Sequence, residues 1–135
     1  MKDVKLYRVM DANLNRAKEG LRVCEDICRF VYDERQWTEG FKAVRHRLTD
    51  AAAGLDIPKL VAARHVEGDV GRKTVNSELT RRKIDDIFYA NAQRVKESIR
   101  VLEEFAKLKD RRIAEDFKKL RYNMYALEKR VAAQG

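Results

Sequence analysis

Proline occurs once and glycine six times in 135 residues. So little punctuation argues against many short strands and turns and favours long helices. No run approaches the roughly 18 consecutive apolar residues of a membrane span. The opening MKDVKLYRV has no apolar stretch of the secretory kind, so the cytoplasm is the expected compartment. Cysteine is scarce: Cys24 and Cys28 are four apart, which puts them on one helical face. A disulfide between them is not expected in a reducing compartment, and a zinc site would need further ligands nearby. Both read as small buried apolar residues. The two histidines, His46 and His65, stand in no metal-ligand spacing. A dense basic block is also missing, because acidic residues lie among the basic ones almost throughout.

What is present is charge. Thirty Lys and Arg against 22 Asp and Glu leave a net charge of +8, which suits nucleic acid, an acidic lipid surface or a phosphorylated small molecule. With the basic residues so dispersed, neither nucleic acid nor membrane is the expected partner. The length suits one domain with a real core.

Apolar spacing predicts the helices. Ala17, Leu21, Cys24, Ile27, Cys28 and Val31 lie on one face of a stretch from Leu14 to Val31. A second stretch begins near Gln36 and carries Phe41, Val44, Leu48 and Ala52, with Gly54 as its expected C-cap. Pro58 suits the first turn of a short helix to Ala63. From Arg64 to Asn76 periodicity disappears, and RHVEGDVGRKTVN reads as a loop of functional length. Asn76 or Ser77 is the expected cap of the next helix. Its stripe is Ile84, Ile87, Phe88, Val95, Ile99, Leu102, Phe105 and Ala106. At roughly thirty residues a bend or break is expected near Tyr89 to Asn91. A last helix spans about Arg112 to Ala133 on Ile113, Phe117, Leu120, Met124, Leu127 and Val131.

Two segments match at an offset of 78 residues: ANLNRAKEGLRVCEDICRF (12–30) and ANAQRVKESIRVLEEFAKL (90–108), with 8 of 19 positions identical. FKAVRHRL (41–48) echoes FKKLRYNM (117–124). The expected fold is therefore all-α: a bundle of two duplicated helical hairpins with pseudo-two-fold symmetry, in one domain over 1–135. Repeat 1 covers about 5–53, the linker helix and loop 54–76, and repeat 2 about 77–133. Polar positions match at least as well as apolar ones. Asn15, Glu19, Arg22 and Asp26 form one stripe, and Gln93, Glu97, Arg100 and Glu104 its counterpart. Surface salt-bridging is one reading. The other is two polar faces meeting across the axis to line a cleft. Asn13 and Asn91 lie nearer the apolar side and are expected to be buried amides.

The loop VEGDVGR (66–72) sets Asp69 between Gly68 and Gly71, behind Arg64. Glycine lets backbone N–H groups approach an anion closely. Asp69 is a candidate Mg²⁺ ligand, and Arg64, Arg72 and Lys73 candidate phosphate partners. It is not a Walker A motif.

Together, DANLNRAKEGLRVCEDICRF, AARHVEGDVGR, ANAQRVKESIRVLEEFAKL and LRYNMYALEK resemble the all-helical hydroxymethylpyrimidine phosphate kinase of thiamine biosynthesis, a domain often fused to thiamine phosphate synthase. The resemblance covers nearly the whole chain. It implies γ-phosphoryl transfer from ATP, with Mg²⁺, to 4-amino-2-methyl-5-hydroxymethylpyrimidine phosphate. The implied catalytic residues are Asp69 (also the metal ligand), Arg64 and Arg72. The implied substrate-binding set is Asn13, Arg16, Glu19, Arg22, Asn91, Arg94, Glu97, Arg100, Gly68 and Gly71. The acidic pairs Glu25/Asp26 and Glu103/Glu104 would orient arginines or meet the pyrimidine. The family pattern has an aspartate after the arginine at the head of the loop, where this chain has His65. A non-catalytic module that binds a phosphorylated metabolite, or docks on thiamine phosphate synthase, is the alternative. Oligomeric state is open, a homodimer included.

Overall fold

The computed structural model describes residues 2–74 and 79–134. Five helices are described: α1 (Lys2–Phe30), α2 (Arg35–Ala52), α3 (Ile57–Ala63), α4 (Ile84–Ala106) and α5 (Arg111–Gln134). No strand occurs among the described residues, so the all-α expectation holds. No helix among them is long and apolar enough to cross a membrane.

Each long helix buries one stripe at three- and four-residue spacing. Met10, Leu14, Ala17, Leu21 and Cys24 do so on α1, and Phe88, Ala92, Val95, Ile99 and Leu102 on α4. Phe41, Val44 and Leu48 on α2 and Phe117, Leu120 and Met124 on α5 complete one continuous core. Antiparallel hairpins α1–α2 and α4–α5 pack through α1 against α4 and α2 against α5, and α3 lies on α1.

The centre of the α1–α4 crossing is a glycine. A Cβ on Gly20 would lie 2.7 Å from Val95 Cγ2 and 3.1 Å from the Asn91 carbonyl oxygen. The first is a stiff β-branched side chain and the second is backbone, so neither yields cheaply. Gly20→Ala would gain about 1 kcal/mol of helix propensity, but overpacking costs about 1–3 kcal/mol. A net loss of stability of about 1 kcal/mol is expected in urea unfolding, against the usual sign for a mid-helix glycine. A gain would show that the helices do not cross this closely.

Helix ends differ from the sequence expectation more than helix faces do. α1 starts at Lys2, ahead of the apolar spacing read from Leu14 and of the repeat start near residue 5. α4 starts at Ile84, where the Asp86 carboxylate accepts the backbone N–H groups of Arg82 and Lys83 (3.1 and 3.2 Å). The expected cap, Asn76 or Ser77, lies outside the described residues. The helix runs unbroken past Tyr89 to Asn91, with the Asn91 amide adding a bond to Ile87 O one turn back (2.8 Å). Gly54 is not the cap of α2; Ala53 is. Gly54 instead sits against α5, where a Cβ would lie 2.7 Å from Ile113 Cδ1 and push that methyl aside. Asp56 caps α3 through Lys59 N–H (3.2 Å), with Pro58 in the first turn as expected.

Cys24 and Cys28 are free and buried. Burial pushes the Cys28 thiol up to about 12 and holds Cys24 higher still, so neither is a nucleophile at neutral pH.

Candidate functional site

The matched polar positions of the repeat do not line a shared cleft. Glu19, Arg22 and Asp26 on α1, and Gln93, Glu97, Arg100 and Glu104 on α4, are exposed. Gln93 donates to Glu97 (3.3 Å) and Arg100 pairs with Glu104 (3.1 Å), both along their own helix. The small and apolar faces meet where α1 crosses α4, which turns the polar stripes outward. Arg100–Glu104 is the one ion pair between two of these seven residues, and Glu19 faces the groove described below.

The carboxylates that do turn inward are Glu25 and Glu103, equivalent across the 78-residue offset. Glu25 takes Arg45 from α2 (2.9 Å), and Glu103 takes Arg121 from α5 (3.0 Å). Arg22 and Arg100 stand 3.5 Å from the same two carboxylates. Each pair ties the two helices of one hairpin together, and no described buried side-chain polar atom lacks a partner. Asn13 and Asn91 also behave alike, each donating to the carbonyl four residues back (2.9 and 2.8 Å).

The loop after α3 creates an open groove of about 690 Å³ against the N-terminal half of α1. Arg64, in extended conformation (ψ 134°), ends α3 and points the chain back across α1. Its guanidinium donates two bonds, Nε and Nη2, to the two oxygens of Asp11, both at 2.8 Å. Asp11 is itself buried, and this contact raises the Arg64 pKa further. Lys5, Arg8 and Arg16 line the groove from α1. None of the three forms an ion pair among the described residues, so they are available to a ligand. Asn13 and Asn15 set amides between them; Asn15 Nδ2 donates to Asp11 (3.3 Å).

Loop geometry completes the wall. A Cβ on Gly68 would lie 2.4 Å from His65 Cε1, so only glycine lets the imidazole lie there. Asp69 Oδ1 accepts the Gly71 N–H (2.9 Å) and closes the turn, leaving Oδ2 open. No group of three His, Cys, Asp or Glu able to hold a metal occurs among the described residues. Magnesium often needs only one or two carboxylates plus ligand phosphates. Asp69 therefore fits a cation that arrives with a phosphate.

The groove thus gathers Asn13, Arg16, Glu19, Arg64 and Asp69 from the sequence-derived set. Arg22, Asn91, Arg94, Glu97 and Arg100 do not line it, nor does Arg72, which is exposed and bonds Asp69 O through its own N–H (3.4 Å). Sequence reasoning missed Asp11, Lys5 and Arg8. For Lys5 and Arg8 the signal was spacing, since residues 5, 8, 12, 15, 16 and 19 share one helical face; Asp11 lies off that face and had none.

Residues 8–130 match the ThiD2 family. The chain belongs to this family. It is 42% identical over 124 residues to a protein of Nostoc punctiforme named thiamine-phosphate synthase, covering 91% of this chain and 34% of that protein. A Synechocystis protein of the same name is 43% identical, covering 91% of this chain and 35% of that protein. The chain therefore spans about a third of the length of these relatives. No solved structure matches.

These names correct the activity expected from resemblance. Relatives at 33–43% identity over most of the chain are named for the synthase, not for a kinase. The ATP-dependent phosphorylation, and ATP as co-substrate, fall with it.

Proposed function

We propose that this domain serves thiamine phosphate synthesis by binding a phosphorylated pyrimidine precursor in the α1–loop groove, next to or docked on a thiamine phosphate synthase. The observation that carries the reading is the set of three cations, Lys5, Arg8 and Arg16, that form no ion pair among the described residues and line one groove with Arg64. A phosphate or pyrophosphate needs several such cations, and guanidinium binds it with paired N–H bonds. Arg64 is already locked by Asp11 and orders the loop, while the other three neutralise the ligand. Asn13 spends Nδ2 on Val9 O, and its Oδ1 accepts the Arg16 guanidinium (3.5 Å) and so steadies that cation at the groove. Magnesium would enter with the phosphates and take Asp69 Oδ2. The synthase-named relatives supply the pathway.

The test is ³¹P NMR of the protein titrated with hydroxymethylpyrimidine phosphate, then with Mg-ATP added. A saturable ³¹P shift is expected. Arg8→Gln and Arg16→Gln should each weaken binding about 10-fold, the lower end for a charge-assisted bond. With ATP no new phosphorus species should form. A pyrophosphate doublet with ADP would overturn the binding role, and no shift would remove the groove as the site.

A further inference from the structure

At one end of the bundle, the α1–α2 turn meets the start of α4 and the end of α5 around a second pocket of about 250 Å³. We propose that it binds an organic cation of quaternary-ammonium or N-alkylated heteroaromatic type. Three aromatic side chains line it: Tyr32, Trp37 and Tyr89. Tyr32 and Trp37 stand perpendicular, with centroids 6.0 Å apart, and so make two walls of a corner. Tyr89 is held edge-on by Phe88 at 5.2 Å.

The charge here is opposite to that of the molecule. In a chain of net charge +8, this pocket is lined by two carboxylates, Glu34 and Asp85, and by no Lys or Arg. Neither carboxylate forms an ion pair among the described residues. Asp85 accepts the Tyr32 hydroxyl, which fixes that ring and keeps its second oxygen open.

These features select one ligand class. The two carboxylates repel anions, which sends phosphates to the groove instead. A small inorganic cation would not use the aromatic faces, and no group of three donors able to hold a metal occurs among the described residues. A neutral apolar guest would strip water from two carboxylates with nothing in return. An organic cation satisfies both parts: π faces attract it and the carboxylates balance it. The volume suits one such group and excludes a nucleotide. Because the groove is basic and built on the other half of α1, this site stands or falls independently of it.

Trp37 is the sole tryptophan, so its indole Nε1–H gives a single resonance that reports this pocket alone. The protein is titrated with choline, with N-methylpyridinium, and with 3,3-dimethylbutan-1-ol, the uncharged isostere of choline. A saturable shift is expected for both cations, with the alcohol at least 10-fold weaker. Tyr89→Leu and Glu34→Gln, both at exposed rim positions, should each weaken choline about 3–10-fold with far-UV circular dichroism unchanged. No saturable shift, an alcohol as strong as choline, or variants that bind as well as the parent would each overturn the proposal.

Discussion

Glu103→Ala is expected to cost about 3 kcal/mol of folding stability, at the lower end of the roughly 3–5 kcal/mol for breaking a buried ion pair from one side. The Glu103 and Arg121 side chains are only 6% and 10% exposed. Removing the carboxylate leaves a guanidinium that cannot reach bulk water without opening the α4–α5 interface. The Tyr122 and Tyr125 rings, 5.1 and 5.9 Å away, still face it, which is why the low end of the range applies. Arg100 lies at 3.5 Å from Glu103 but is half-exposed and can turn to solvent. The equivalent Glu25→Ala should cost less, about 1–2 kcal/mol, because Arg45 is 23% exposed and regains hydration. The double variant Glu103→Leu/Arg121→Met should recover most of the loss, since no buried charge remains. Urea unfolding of the three variants decides the matter. A Glu103→Ala loss below about 1 kcal/mol would mean that the pair behaves as a surface bridge.

The core stripes were legible because each long helix repeats its apolar residues at three- and four-residue steps, and only one face can be buried. Helix starts were not, since α4 begins on a carboxylate, Asp86, that reaches back to Arg82 and Lys83 rather than on a capping residue ahead of it. Of each acidic pair expected to orient arginines, Glu25/Asp26 and Glu103/Glu104, the first member turns inward onto an arginine of the neighbouring helix. Asp26 and Glu104 were grouped into polar stripes that turn outward, while the neighbouring Glu25 and Glu103, one residue earlier and about 100° round the helix, are the buried pair. Their matching bonds to Arg45 and Arg121 support two-copy descent of the hairpins, which we hold as a proposal. The groove has no such symmetry. Asp11 corresponds to Tyr89 at the 78-residue offset, so a search for features present in both copies passes over it. Its partner Arg64 is 53 residues away, a pairing that only the return of the loop across α1 creates.

That pairing makes Asp11→Asn the most informative change at the groove, with ligand affinity expected to fall about 10–100-fold, the worth of a lost charge-assisted bidentate bond. Asparagine keeps the shape but would face the Arg64 fork with an amide donor in place of one acceptor. Arg64 is 43% exposed and would swing to solvent, taking with it the restraint on His65 and the turn closed by Asp69. Reordering those residues on binding costs about 1–2 kcal/mol for each one fixed. Global stability should change by no more than about 1 kcal/mol, because no unpaired buried charge is created and the loop carries little of the core. A phosphate titration beside a thermal melt separates the two readouts. Lost affinity with a preserved melt fits a positioning residue, and a melt lowered in step with affinity would make Asp11 a structural residue of α1. Unchanged affinity would show that the loop needs no clamp, and that Lys5, Arg8 and Arg16 hold the anion by themselves.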